Sequence, residues 1–389
     1  MIVAAFAGCS QKANEATPTA ASTEATGEQS AAPDNSGEKI KIGGLAPLTG
    51  DVSIYGIAAN NGIKLALDEI NAAGGVLGKQ IEYIVYDEKG DSTEAVNAYN
   101  KLVENDKVVA IVGDVTSTPT IAVAQLAAQI GIPMITATGT NADITAAGTN
   151  VFRACFIDPF QGEVMASYAY NKLGAKKAAI LYDVSDDYST GLQEAFAAKA
   201  EELGMEVVAT ESYTKGDVDF KSQLTKIAGL APDVLFLPEY YEDIALMGAQ
   251  VKEIGLTATL LGADGWDGVL DKVDASNVDA FEGALFCNHY SSESTDEKLQ
   301  AFVTNYTAAY NVAPNSFAAL GYDAAYMMVK AIETAGSTDY AAVVEAMTNI
   351  DFSGITGNIK FDENRNPIKS AAITSITSGA YKFVEYYDM

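Results

Sequence analysis

Residues 107–140, KVVAIVGDVTSTPTIAVAQLAAQIGIPMITATGT, pass from one hydrophobic period to another and back, and residues 233–265 repeat that plan in the same order. In the first copy, 108–112 is a short β-branched run closed by Gly113-Asp114, which predicts a strand. Ser117-Thr118-Pro119 reads as a helix start, with a hydroxyl as candidate N-cap and a proline where its missing N–H costs nothing. Val123, Leu126 and Ile130 follow at helical spacing, Gly131 ends the helix, and 132–135 starts the next strand. In the second copy the stop is Gly255. Aligning the two glycines sets Thr116 against Tyr240 and Thr140 against Asp264. Parallel α/β sheets bind ligands at the carboxyl ends of their strands. The chain therefore offers two similar half-sites, and two such lobes facing each other enclose a cleft.

The remaining chain extends the alternation on both sides of this repeat. The first strand is expected from Lys39. A helix over about 57–72 should bury Ile57, Ile63, Leu65, Leu67 and Ile70, and it stops at Gly74-Gly75. A strand over 80–87 and a helix over 92–104 complete a parallel series covered on both faces. Asp158-Pro159 suits a crossover into a second series: helix 160–173, strand 178–182, helix 189–203, strand 206–211 and helix 218–229. Residues 284–290 read as a return crossover, helices near 295–310, 316–336 and 339–348 rejoin the first lobe, and 372–387 closes the chain.

Charge narrows the partners. The sequence has 24 Lys and Arg against 52 Asp and Glu, a formal charge of −28. Phosphate backbones are repelled by such a surface, so no nucleic-acid partner is expected. No apolar run approaches the ~20 residues needed to span a bilayer.

Chemistry-bearing motifs are few. Gly74-Gly-Val-Leu-Gly78-Lys79 lacks the first glycine and the final hydroxyl of a phosphate loop. Asp264, Asp267 and Asp271 lack the spacing and closing glutamate of a calcium loop. His289 is the only histidine, sits in an expected hinge and reads as structural. No metal, cofactor or catalytic residue is expected, and the chain is not expected to be an enzyme.

MIVAAFAGC resembles the end of a bacterial lipoprotein signal, with cleavage before Cys9 and lipid on its sulfur. The positive start is missing and Phe6 stands where leucine is usual. Residues 9–37 are small, polar and aperiodic, a flexible tether behind the anchored cysteine. Cys155 and Cys287 sit shortly before the two crossovers, either bridged or, as we favour, buried as free thiols.

Five stretches resemble the branched-chain type of amino-acid-binding protein of ATP-binding-cassette (ABC) transporters: Gly44-x-Ala-Pro-Leu-Thr-Gly, Ile70-Asn-Ala-Ala-Gly-Gly-Val-Leu-Gly, Ile135-Thr-Ala-Thr-Gly-Thr, Phe152-Arg-Ala-Cys-Phe-x-Asp-Pro-Phe-Gln-Gly and Gly262-Ala-Asp-Gly-Trp. The resemblance covers roughly 39–385 and implies the type I periplasmic-binding-protein fold: α/β, two Rossmann-like lobes with parallel central sheets, joined by three hinge crossovers. The lobes are expected at 38–157 with 290–370 and at 158–289 with 371–389, behind a partial signal at 1–8.

The resemblance also implies a site. Ser117 falls on a serine that holds the ligand α-carboxylate, and Thr138, Gly139 and Thr140 on a small segment offering backbone groups and a hydroxyl. Tyr55 and Tyr188 match aromatic residues lining the cleft, Tyr240 a contact tyrosine and Asp264 an acid facing the ammonium, with Trp266 beside it. Thr138 stands where alanine is usual and Asp264 where glutamate is, which leaves room for a different ligand. Glu239 and Tyr241 should point away from the face of Tyr240 by strand alternation.

The expected function is capture of a free amino acid, branched-chain, hydrophobic or aromatic, for an ABC permease, by a monomer that touches the membrane only through its lipid anchor. The expected place is the outer face of a Gram-positive cytoplasmic membrane, with a periplasmic setting open. A ligand sensor of the same fold, or a surface lipoprotein hydrolase, are the alternatives.

Overall fold

A computed structural model describes residues 37–291 and 293–388. The signal, Cys9 and all of the tether before residue 37 lie outside the described residues.

The first series runs β1 (Ile40–Ala46), α1 (Ser53–Ala72), β2 (Ile81–Asp87), α2 (Ser92–Asn100), β3 (Ala110–Val112), α3 (Ser117–Ile130), β4 (Met134–Thr136), α4 (Asp143–Ala146) and β5 (Val151–Arg153). Its five strands form a wholly parallel sheet in the order β2-β1-β3-β4-β5. The second series runs α5 (Asp158–Asn171), β6 (Lys177–Asp183), α6 (Asp187–Leu203), β7 (Glu206–Tyr213), α7 (Lys221–Leu230), β8 (Val234–Phe236), α8 (Tyr241–Ile254), β9 (Thr259–Gly262) and β10 (Leu285–Asn288). Helices α9 (Glu297–Tyr310), α10 (Ser316–Ala335) and α11 (Tyr340–Thr348) follow, then the short pair β11 (Phe352–Gly354) and β12 (Gly357–Ile359). The last strands are β13 (Ala371–Thr377) and β14 (Ala380–Tyr387).

The second sheet has the order β14-β13-β10-β9-β8-β6-β7. It is parallel from β7 to β10, and β13 and β14 add an antiparallel edge to the expected parallel sheet. The cause is local. Ser378 (φ 53°) and Gly379 (φ 71°) make a two-residue turn with positive φ at both positions, which returns β14 directly along β13. The chain passes between the sheets three times, after β5, after β10 and before β13.

The repeat is present as a structural correspondence. Thr116 precedes α3 and Tyr240 precedes α8, both in extended conformation, and the helices end at Gly131 (φ 75°) and Gly255 (φ 74°). Glycine, lacking a Cβ, reaches that left-handed region at the least cost.

Helix α1 departs from the expected burial. Ile63 and Leu67 are buried, but Ile57 is 46 % exposed and Leu65 and Ile70 are only half-buried. The buried face is instead built of Tyr55, Gly56, Ala58, Ala59, Gly62 and Ala66. Its partner is α10, whose Gly321 has no room for a Cβ against the carbonyl of Ala59, as Gly62 has none against the carbonyl of Ala318. Small residues let the two helices approach closely, and the large aliphatics are displaced to the flanks. Cys155 and Cys287 are buried free thiols, with Sγ atoms 3.2 Å from the Gly139 carbonyl and 3.3 Å from Gln161 Oε1.

Candidate functional site

The ends of β3 and β4 in one sheet face the ends of β8 and β9 in the other, across a small cavity of ≈ 10 Å³. Val115, Thr116, Ser117, Thr138 and Thr140 line it from the first series, together with Phe317 at the start of α10. Tyr188, Tyr240, Asp264 and Gly265 line it from the second. Six of the nine residues expected for ligand contact thus meet at one place.

The first-lobe wall is held by its own backbone. No side chain caps α3; Ser117 Oγ, the expected cap, instead accepts from the Asn141 N–H at 3.3 Å. The helix therefore presents its partial positive end to the cavity. Thr138 Oγ1 donates to the Val115 carbonyl at 2.7 Å. Arg153, fully buried, donates from its guanidinium to the carbonyls of Gly139 (2.9 Å) and Asn141 (2.7 Å) and so fixes the loop carrying Thr140. Below Thr140 lies Asp158, which burial pushes well above the usual carboxylate range while the Thr140 hydroxyl draws it back down.

The second-lobe wall is aromatic and acidic. Tyr188 and Tyr240 stack with ring centroids 4.7 Å apart. The Tyr188 hydroxyl donates to Asp264 Oδ1 at 2.8 Å and accepts from the Gly265 N–H at 2.9 Å. Burial raises the Tyr188 phenol well above its ordinary value, so it remains a donor. The other Asp264 oxygen, Oδ2, lies 2.9 Å from Nε2 of His289, and the Asp264 N–H donates to Gln161 Oε1 at 3.0 Å. Burial holds the His289 imidazole below its ordinary pKa, with the Asp264 contact opposing. Its neutral form donates from Nε2 while Nδ1 has no hydrogen-bond partner among the described residues. A carboxylate has about four acceptor positions, so Asp264 keeps capacity for a further donor.

Three expected contacts sit elsewhere. Trp266 is a core residue and not a cleft residue: its Nε1 donates to the Leu237 carbonyl at 2.9 Å and its rings pack on Phe281 and Phe286. Asp264–Trp266 form a single 3-10 turn after β9, in which Asp264 and Gly265 line the cavity while the indole packs into the core. Gly139 has both backbone groups engaged inside its own lobe, by Thr136 Oγ1 and by Arg153, and does not line the cavity. Tyr55 stands behind the cavity. Its hydroxyl donates to the Gly265 carbonyl and accepts from the Tyr241 N–H at 3.0 Å, and its ring stacks on Phe317 at 4.1 Å. It is a bridge between lobes.

Glu239 and Tyr241 stay out of the cavity that Tyr240 lines, as expected, but not through strand alternation, because β8 ends at Phe236 and Tyr241 starts α8. The Tyr241 hydroxyl reaches the Ile54 N–H of α1 at 3.2 Å. Phe317, Gln161 and the His289 contact were missed by sequence reasoning. Phe317 and His289 lie far along the chain from what they touch, and Gln161 carried no signal beyond its place in the Asp-Pro-Phe-Gln-Gly motif.

The family model described as periplasmic binding protein matches residues 39–380. A Leu/Ile/Val-binding protein of Rhizobium johnstonii is 35% identical over 306 residues, covering 78% of this chain and 82% of that protein. A leucine-binding protein of Thermotoga maritima has a crystal structure that superposes with a TM-score of 0.84 at 36% identity, covering 89% of this chain and 98% of the other. The branched-chain amino acid transporter substrate-binding protein of Streptococcus pneumoniae, solved in complex with isoleucine, gives 0.83 at 33% identity, covering 89% and 99%.

Proposed function

The chain belongs to the periplasmic binding protein family, and from that premise we propose that it captures one free α-amino acid between its lobes and presents it to an ABC permease. It is a solute-binding protein that works outside the cytoplasm, and not an enzyme. The observation that carries the ligand class is the polarity of the cavity. One wall is the uncapped start of α3 with Ser117 and Thr140, and the facing wall is Asp264 held by Tyr188 and His289. A helix N-terminus receives a carboxylate, and an anionic side chain out of water receives an ammonium. The two ends of a zwitterion are thereby matched to the two lobes. The stacked tyrosines and Phe317 are apolar surface for the ligand side chain.

Ser117, Thr138, Thr140, Tyr188, Tyr240 and Asp264 are the proposed contacts, with Tyr55 as the residue that ties the lobes over them. The lobes are proposed at 38–157 with 290–370 and 158–289 with 371–389. The cavity of ≈ 10 Å³ has room for about one water, so the ligand is taken with the walls further apart, and it favours the arrangement in which both walls touch it. Native mass spectrometry of protein purified without denaturation tests this reading. One amino acid per chain is expected, and a retained ligand without an amine contradicts it.

We further propose anchoring of a monomer through lipid on Cys9, with residues 9–37 as tether, on a Gram-positive surface. Cys9→Ser should shift the protein from membrane to medium at unchanged ligand affinity. An unchanged membrane fraction contradicts the anchor.

A further inference from the structure

We propose that a second groove, between α1 and the turn after β9, binds a small amphipathic organic cation, an apolar body carrying an ammonium. Its volume is ≈ 790 Å³, inside the range of about 300–1,000 Å³ typical of small-ligand sites. It shares no lining residue with the cavity at Asp264. The reading of the cleft as an amino-acid site does not enter the argument.

Three observations set the chemistry. The first is that three of the four groove tyrosines donate their hydroxyls to backbone carbonyls: Tyr290 to Pro314 (2.8 Å), Tyr310 to Asn61 (3.0 Å) and Tyr381 to Trp266 (3.2 Å). The rings are fixed by those bonds and give the groove aromatic surface, which attracts cations. The second is charge. Asp267, Asp271 and Glu293 line the groove, and no Lys, Arg or His does. Asp267 is buried and held at its Oδ2 by Asn288 Nδ2 (3.1 Å), the Ser316 N–H (2.9 Å) and Ser316 Oγ (2.7 Å). All three are neutral donors, so the carboxylate has no counter-ion among them. Burial and the Asp267 charge together raise Asp271 above the ordinary aspartate value, which a bound cation would reverse. Glu293 alone meets a cation, Lys382 at 3.7 Å.

The third is apolar surface. Ile57 and Val312 line the groove yet are 46 % and 55 % exposed. A neutral apolar ligand would leave the carboxylates unanswered, and a metal ion would leave the aromatic and aliphatic walls unused. The depth favours a small molecule over a protein surface, because Ala58 and Tyr306 at the groove wall are themselves buried.

The test titrates the full chain with phenethylamine and with its neutral counterpart 2-phenylethanol. Calorimetry gives the stoichiometry. Fluorescence of Trp266, whose carbonyl takes the Tyr381 hydroxyl, is a second readout of binding, and the Asp271→Asn and Asp264→Asn variants give the location. Expected is one saturable site for the amine, at least about tenfold tighter than for the alcohol, weakened by salt and about tenfold by Asp271→Asn. Ile57→Lys, at an exposed position, should abolish it while leaving circular dichroism unchanged. The proposal is overturned if the amine does not bind, if amine and alcohol bind equally, or if Asp271→Asn has no effect. Amine binding that disappears in Asp264→Asn but survives Asp271→Asn would place it in the cleft and also overturn the proposal.

Discussion

Glu88 and Asp114 place a titration at the cavity-lining turn between β3 and α3. Both carboxyls are fully buried. Asp114 Oδ1 accepts from the Val115 N–H at 2.6 Å, and Glu88 Oε2 accepts from the N–H groups of Gly90 (2.8 Å) and Asp91 (3.1 Å). Burial and then the Asp114 charge push Glu88 up to about 10, and burial pushes Asp114 up to about 7. The folded protein thus keeps protons that an unfolded chain releases near pH 4. Stability contributed by the protonated pair is present at low pH and is lost as pH rises toward those folded values. Glu88→Gln keeps the shape and removes one proton from the balance. Its denaturant-unfolding free energy should fall less steeply between pH 5 and 9, by up to about 1.4 kcal/mol per pH unit. Parallel profiles for the two proteins would contradict a raised Glu88 pKa in the folded state. That Thr140 and Asp264 share one cavity was legible because the repeat aligns them at strand ends, which parallel sheets use for ligands, whereas Ser117 came from the family resemblance alone. Trp266 and Gly139 were not legible, since one turn decides which of two adjacent side chains enters a cavity, and period analysis does not resolve a turn.

At the scale of elements, helix and strand order followed from punctuation: glycine stops, proline starts and changes of hydrophobic period. The packing of α1 on α10 did not. Burial predicted from side-chain size favours isoleucine and leucine, whereas the close approach of two helices selects Ala59, Gly62, Ala318 and Gly321. Gly321→Ala tests this. Helix propensity alone favours alanine by about 1 kcal/mol. Against that stands a methyl group driven into the Ala59 carbonyl, in a core where overpacking costs typically 1–3 kcal/mol. Backbone has little freedom to yield, so the clash should win, with a net loss of up to about 2 kcal/mol by chemical denaturation. A stabilised variant would mean that α1 and α10 are more loosely packed than described.

The whole molecule is closed by contacts that no local pattern contains. Tyr55 reaches Gly265 and Tyr241, Thr118 Oγ1 donates to Asp187 Oδ2 at 2.9 Å, and Asn141 Nδ2 donates to the Asp187 carbonyl at 2.8 Å. Each joins residues far apart in the chain, and each would break as the lobes part. Closure and ligand capture are therefore one event in this account, with Asp264 as the charge around which the second wall is organised. The most direct measurement is calorimetric titration of wild type, Asp264→Asn and Ser117→Ala with a panel of free α-amino acids. One saturable site per wild-type chain is predicted for at least one amino acid. Asp264→Asn keeps the shape but removes the charge, and should weaken binding by about 2–5 kcal/mol. Ser117→Ala should cost less, about 1–3 kcal/mol, because backbone N–H groups still meet the carboxylate. If Asp264→Asn binds the same amino acid as tightly as wild type, no ammonium sits at that carboxylate, and the account of the cleft is wrong.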